Sequence, residues 1–310
     1  ARKYSRKESL LAGPFISSFS SLARDQKEEM DAAHELYLDD FWEEIHGNGE
    51  STGKGKEEEE SEISSIGQDP VKLDYFHFPR GPKPGTAIHH IFEAINFSDP
   101  DNLPEIATQF LNKQGISEKW AAIASDMVGT ALDTPLVEGE PSFKLSSLSP
   151  RQMIAEMEFY FPNKGAALDE LLHIIREPEM VPEMTIRKSD SGFLKGFIDL
   201  TFLYQDRFYI LDYKTNHLGD TLSDYSENSL AREMQDALYD LQYHLYVLAV
   251  HRHLKKTVGG YDYDNHFGGV FYLFLRGLNS EGREGIFYDC PPRETIEALD
   301  DYFKIETIHE

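Results

Sequence analysis

Between Ala155 and Phe161 the sequence alternates, with Met157, Phe159 and Phe161 on one side and Glu156, Glu158 and Tyr160 on the other. A period of two predicts a strand. LKGFIDLTFLY and RFYILDYKTN read as two more strands, joined at Gln205-Asp206. In TAIHHIFEAI the period changes, and Ile88, Ile91, Phe92 and Ile95 share one helical face. Two further helical runs follow, near LPEIATQFLNKQ and EKWAAIASDMVGTAL. One long helix is predicted over SLAREMQDALYDLQYHLYVLAVHRHLKK, with Leu238, Leu241, Leu245 and Leu248 along one side. GGVFYLFLRGL reads as a buried strand, and PRETIEALDDYF opens a last amphipathic helix with proline. Strands in the middle, with helices before and after, predict a mixed α/β sheet core.

The two joined strands pose a question of charge. A turn at Gln205-Asp206 pairs Tyr204 with Arg207 and Leu203 with Phe208, and places Asp199 directly opposite Asp212. Opposed side chains have Cβ atoms about 5 Å apart, and like charges there repel. A cation between the two carboxylates is the simplest reason for them. Lys214 lies two residues past Asp212, so the pleat puts it on the same face. Gln-Asp is not the favoured pair for a two-residue hairpin. A slip of one residue would send the acids to opposite faces.

Two carboxylates and a lysine suit metal-assisted cleavage of phosphodiesters. Hard oxygen ligands suit Mg²⁺, which acidifies bound water and offsets charge at phosphorus. The lysine can orient or deprotonate the attacking water, or bind a phosphate oxygen. The competing reading of Asp212 and Lys214 is an ion pair at a strand end.

The net charge of -25 argues against a free-standing nucleic-acid binder. It leaves room for metal ions, or a partner with its own basic channel, to supply the attraction. One cysteine, Cys290, excludes an internal disulfide and a cysteine zinc cluster, and favours a reducing compartment. No apolar run approaches the roughly 20 residues that span a bilayer. HGNGESTGKGKEEEESEISSIGQDP, from His46 to Pro70, reads as a disordered linker or surface insertion. The chain begins with Ala1, as a processed or excised piece of a longer protein would. There is no G-x-x-x-x-G-K-S/T loop, so ATP-driven unwinding is expected elsewhere.

GFIDL followed by LDYKTN, with YDLQYHLY further on, resembles the RecB-type nuclease domains of the PD-(D/E)xK superfamily. SFSSLAR, GTAIHHIFE and HFGGVFYLFLRG extend the likeness over nearly the whole chain, apart from the acidic insert at roughly Gly47 to Gln68. The resemblance implies a restriction-endonuclease-like mixed central sheet flanked by helices, in agreement with the pattern. It places an N-terminal linker or helical segment over residues 1–70 and the nuclease domain over 71–310. Asp199 follows Ile198 where the superfamily's name has Pro-Asp, a variation usual in the RecB branch.

By this resemblance Asp199, Asp212, His89 and the backbone carbonyl of Tyr213 ligate the metal, and Lys214 is the catalytic lysine. His89 is preferred over His90, because it lies at the edge of the apolar stripe rather than away from it. Glu158 matches an acidic residue upstream of the hairpin, with Glu156 competing for that role. Gln242 and Tyr246 share a helix face and match a motif that supports the active site or contacts DNA; packing in the core is the alternative for Tyr246. The implied cofactor is Mg²⁺, with Ca²⁺ or Mn²⁺ able to take the same place. The implied partners are DNA, mainly single-stranded, the helicase portion of the same polypeptide, RecC, RecD and RecA, in the bacterial cytoplasm. The rival expectation is a catalytically silent module for RecC docking and RecA loading. A stand-alone nuclease with an iron–sulphur cluster is disfavoured by the single cysteine.

Overall fold

The computed structural model describes residues 15–18 (backbone), 72–136, 143–164, 166–181, 191–280 and 282–304. The acidic insert and most of SFSSLAR lie outside the described residues.

A mixed sheet forms the centre. Its strands are β1 (Phe15–Ser18), β2 (Met153–Lys164), β3 (Ser191–Tyr204), β4 (Arg207–Lys214), β5 (Phe267–Phe274) and β6 (Ile286–Asp289). The order is β1-β3-β4-β5-β6, with β2 also paired to β3. β1 runs parallel to β3 and β4 parallel to β5, while the other pairings are antiparallel. Thus Phe15–Ser18, from the segment expected to be a linker, is hydrogen-bonded into the sheet.

β2 takes one edge of β3 along nearly its whole length. β1 and β4 therefore share the other edge. β1 pairs with residues 192–195 and β4 with 200–204, so among the described residues a stretch of that edge ending at Asp199 has no strand beside it.

Helices cover both faces. α1 (Pro82–Ala94), α2 (Leu103–Lys113) and α3 (Ala121–Asp133) lie on one side. They pack with Leu200, Phe202, Tyr209, Leu211, Tyr213, Phe271 and Leu273 of the sheet. α4 (Leu168–Ile175), α5 (Glu227–Asp236), α6 (Tyr239–Thr257), the one-turn α7 (Tyr263–His266) and α8 (Arg293–Tyr302) are the other α-helices among the described residues. On this second side they enclose Leu194, Ile198, Ile210, Val270, Tyr272 and Phe274. Parallel β4 and β5 are buried on both faces, which is why their sequences read as continuous apolar runs.

The predicted long helix is two helices. Leu238 has φ 57, and the chain turns there between α5 and α6. A left-handed leucine is uncommon and costs on the order of 1–3 kcal/mol. The turn aims the start of α6 at the end of β4, where Tyr239 and Gln242 reach Lys214. A period-3.6 apolar stripe cannot reveal such a break, because Leu238 packs against the core whether the helix runs through or not.

Candidate active site

The hairpin has the register that the two-residue turn predicts. Tyr204 pairs with Arg207 and the ladder runs to Leu200 opposite Leu211. Gln205 and Asp206 have φ 47 and 60, the two left-handed residues of a type I′ turn. One step past the last pair, Asp199 stands opposite Asp212.

The ladder stops there for a visible reason. Asp199 Oδ2 accepts the backbone N–H of Tyr213 at 2.8 Å. A side chain has taken a bond that a strand partner would otherwise take. In a strand the N–H and C=O of one residue point to the same edge. The Tyr213 carbonyl therefore faces the same opening as Asp199.

Asp199 also marks a roll in the sheet. Leu194 and Ile198 pack on the α6 side, whereas Leu200 and Phe202 pack on the α1 side. All four are even-numbered, so strict alternation would put them on one face. β2 rolls alongside: Ala155 pairs with Leu200 and Met157 with Ile198, and Glu156 between them has φ 50. Asp199 thus sits where the strand changes face, reachable from α1 as well as from Asp212. The simple pleat did not foresee this.

From α1, His89 Nδ1 lies 3.4 Å from Asp199 Oδ2. The helix is held by a stack of Phe92 on Tyr213, with centroids 3.7 Å apart and planes 5° from parallel. The Tyr213 ring meets the edge of His89 at 87°. His90 instead packs against Phe110 of α2. The structure brings His89, not His90, to the carboxylates. His89, Glu93, Asp199, Tyr213 and Glu156 line a small cleft of about 10 Å³, about the room that one water needs.

Lys214 completes the group. Its Nζ lies 2.7 Å from Asp212 Oδ1 and donates to Gln242 Oε1 at 3.2 Å. It sits over the Tyr239 ring at 4.2 Å and the Tyr272 ring at 5.3 Å, a cation–π cradle. Gln242 Oε1 also accepts from the Tyr272 hydroxyl at 2.9 Å. Gln242 is fixed by two donors and so fixes the lysine. Tyr246, 2% exposed, packs edge-on against Phe159 and is a core residue behind the site.

Glu158 is not brought to the cluster. It is exposed, 2.7 Å from Lys195 Nζ, and accepts from the Tyr160 hydroxyl at 2.6 Å. Its place is taken by Glu156, at the roll opposite Asp199 and on the cleft wall. Alternation put both glutamates on one face. Only the local left-handed backbone separates their environments, and no residue type signals it.

The charges are unequal in consequence. Burial first, and the neighbouring Asp199 second, push the Asp212 carboxyl up to about 6, against the pull of Lys214. Burial also works to raise Asp199, but His89, Lys214 and the Tyr213 N–H outweigh it and hold that carboxyl below its usual range. Burial works to lower Lys214, but Asp212, Tyr239 and Asp199 outweigh it and raise its pKa. With both carboxylates free of metal, these neighbours favour the charged, hydrogen-bond-donating form of Lys214.

Among the described residues, no group of three or more His, Cys, Asp or Glu is gathered as a metal cluster. Lys214 supplies the positive charge against Asp212 instead. The donors nevertheless fit a divalent cation. Asp212 Oδ1 is buried, and Lys214 approaches it off the hydrogen-bond axis, leaving it without a directed donor. Asp199, Tyr213 and the His89 ring line one cleft, and Asp212 lies near enough for Asp199 and His89 to act on its charge, so the donors are mostly hard oxygens.

Comparison with known proteins gives a consistent picture. The family model described as the PD-(D/E)XK nuclease superfamily matches residues 76–306. The chain is similar to the RecBCD enzyme subunit RecB of Escherichia coli (strain K12), 38% identical over 254 residues, covering 80% of this chain and 21% of that protein. It is similar to the subunit of the same name from Haemophilus influenzae, 37% identical over 244 residues, 78% of this chain and 20% of that one. For the Mycobacterium tuberculosis (strain ATCC 25618 / H37Rv) subunit the figures are 30% over 258 residues, 72% and 24%. The chain spans about a fifth of the length of the curated relatives it matches.

Proposed function

Since this chain belongs to the PD-(D/E)XK nuclease superfamily, we propose that it hydrolyses DNA phosphodiesters with a divalent metal ion, as the nuclease part of a RecB-like helicase–nuclease subunit. The observation that carries this reading is the group of buried Asp212 with partly buried Asp199 and Lys214, with His89 above it and Gln242 behind it. Similarity to RecB subunits of the RecBCD enzyme supports a role in recombination and repair with RecC and RecD as partners, and RecA is proposed as a further partner from the motif resemblance alone. Mg²⁺ is the proposed ion and single-stranded DNA the proposed main substrate. No helix among the described residues is long and apolar enough to cross a membrane, and a cytoplasmic place in a bacterium is proposed from the relatives.

Asp199, Asp212, the Tyr213 carbonyl and His89 would hold the ion. When bound, the ion offsets charge on the phosphoryl group and acidifies water. The chain's own residues perform the rest. Lys214, in its charged form, donates to a non-bridging phosphate oxygen or to the attacking water, and so places the water oxygen for in-line attack. As the water oxygen bonds to phosphorus and gives up its proton to solvent, the bond to the leaving oxygen breaks and that oxygen takes a proton from solvent. Negative charge builds on the non-bridging oxygens, where a fixed ammonium is most effective. Gln242 and the Tyr239 and Tyr272 rings limit the directions that Lys214 can take. Glu156 is proposed in place of Glu158 as the acid beside Asp199, and Tyr246 as packing behind it.

The test is cleavage of an end-labelled single strand by the purified chain, with and without Mg²⁺. Cleavage that needs Mg²⁺ and is lost in Asp212→Ala supports the proposal. Equal cleavage in excess chelator overturns it.

A further inference from the structure

Two arginines tie the strand that carries Lys214 to the segment leading into α1. Arg276 is 1% exposed. Its Nε donates to the carbonyl of Thr215, the residue after Lys214, at 2.7 Å. Its Nη1 donates to Tyr75 and Phe78 at 2.8 Å each and to Phe76 at 3.3 Å, and its Nη2 donates to Pro79 at 2.7 Å. Residues 75–79 form neither strand nor helix, so beyond a 3.4 Å bond from the Phe78 N–H to the Tyr75 carbonyl the covered carbonyls there rely on donors outside regular structure. A planar fork of five N–H donors can serve them all at once, whereas an ammonium cannot.

A second tie joins the same two segments from outside. Arg80 Nη2 lies 2.7 Å from His217 Nε2 and 3.8 Å from Asp220 Oδ1. Arg80 stands just before α1, and His217 stands three residues past Lys214. On the far side, the Tyr75 hydroxyl reaches Asp126 at 2.8 Å and Thr130 at 2.9 Å on α3.

α1 begins at Pro82 without a side-chain cap. What fixes its position along the sheet is therefore the chain before it and the packing of its buried face. His89 is two turns into that helix and meets Asp199 at 3.4 Å. A shift of α1 by one ångström would move the ring off the carboxylate that it faces.

We propose that Arg276 is a positioning residue for the metal ligands. It sets His89 against Asp199 and the end of β4, and through that spacing governs divalent-cation affinity. The proposal rests on the metal-dependent reading above.

The experiment is calorimetric titration of Mn²⁺ into the whole chain as wild type, Arg276→Lys, Arg80→Ala, His89→Ala and the double variant Arg276→Lys/His89→Ala. Arg276→Lys is expected to weaken Mn²⁺ binding by about 10- to 100-fold, the range seen when residues that orient metal ligands are changed. The double variant is expected to bind no more weakly than His89→Ala alone, because the two act through one contact. Arg252→Met, which removes an ion pair to Asp300 remote from the site, is expected to lower thermal stability without changing Mn²⁺ affinity. Unchanged affinity in Arg276→Lys, or losses that add in full on the His89→Ala background, would overturn the proposal. If Arg276→Lys does not fold, the exposed Arg80→Ala decides. Weaker Mn²⁺ binding supports the clasp, and a raised KM for DNA at unchanged Mn²⁺ affinity overturns it in favour of a phosphate contact. A wild type that binds no Mn²⁺ removes the metal-dependent reading itself, whereas wild-type binding with unaltered variants removes only the clasp.

Discussion

Asp199 Oδ2 accepts the Tyr213 N–H at 2.8 Å, and with that bond the β3–β4 ladder ends. One carboxylate both terminates the hairpin and keeps the Tyr213 carbonyl turned toward the opening. The first prediction concerns this double use. Asp199→Asn retains an oxygen acceptor for the N–H but loses the charge. It should fold, with Mn²⁺ affinity reduced at least tenfold and cleavage lost. Asp199→Ala should in addition lose on the order of 1–3 kcal/mol in denaturant unfolding, because a buried donor is left unpaired. Equal stability of the two variants would detach the carboxylate from the hairpin's geometry.

The second prediction is a pH dependence of the metal-free protein. The Asp212 carboxyl is pushed from 3.8 to about 6 by burial and by Asp199. A group raised in the folded state stabilises fully below its unfolded pKa, and that contribution is lost as pH rises through the folded value. Between about pH 4 and 6 the wild type should therefore lose stability that Asp212→Asn, permanently neutral, retains. In chelator at pH 8 the variant should be the more stable, by on the order of 1–3 kcal/mol. The advantage should vanish toward pH 4. Urea unfolding of both proteins across this range measures it, and a variant no more stable at pH 8 would refute the raised Asp212 carboxyl.

Gln242 carries the third. It holds Lys214 at 3.2 Å and is itself held by Tyr272 at 2.9 Å. Gln242→Leu keeps the volume and removes the acceptor. Cleavage should fall on the order of 100-fold in kcat, the scale of a small misplacement of a reacting group, with KM for DNA nearly unchanged. A change confined to KM would instead make Gln242 a DNA contact.

The two glutamates of β2 divide in the fourth. Glu158→Gln removes an exposed ion pair to Lys195, so its cleavage should stay within about threefold of wild type, since such pairs contribute little. Glu156→Gln, on the cleft wall beside Asp199, should reduce cleavage or metal affinity. Kinetics at saturating and limiting Mn²⁺ separate these effects. The opposite ranking would restore Glu158 to the site.

Much of this was legible in the sequence because a hairpin's register follows from its turn. Once Gln205 and Asp206 are taken as the two loop residues, Asp199 must face Asp212, whatever the rest of the fold does. The side of α1 that bears His89 follows likewise from the apolar stripe. The roll at Asp199 and Glu156 was not legible. It swaps the buried face of β3 between Ile198 and Leu200 without any glycine or proline to mark it. The break at Leu238 was hidden for the same reason. The role of Arg276, inside GGVFYLFLRGL, has no sequence signal, because its partners are backbone carbonyls about two hundred residues earlier in the chain, and carbonyls leave no residue-type signature.

In the proposed reaction Asp199, Asp212 and Lys214 work together on a phosphodiester with a divalent ion. Single-turnover cleavage of an end-labelled single strand, over a range of Mg²⁺ concentrations, tests it most directly when wild type is set beside Lys214→Ala. Wild type should cleave with a saturable dependence on Mg²⁺. Lys214→Ala should fold, still bind Mn²⁺, and cleave at least about 100-fold more slowly at saturating Mg²⁺, as loss of a charge-stabilising donor requires. Cleavage by Lys214→Ala at the wild-type rate, or wild-type cleavage that is indifferent to Mg²⁺, would contradict the account.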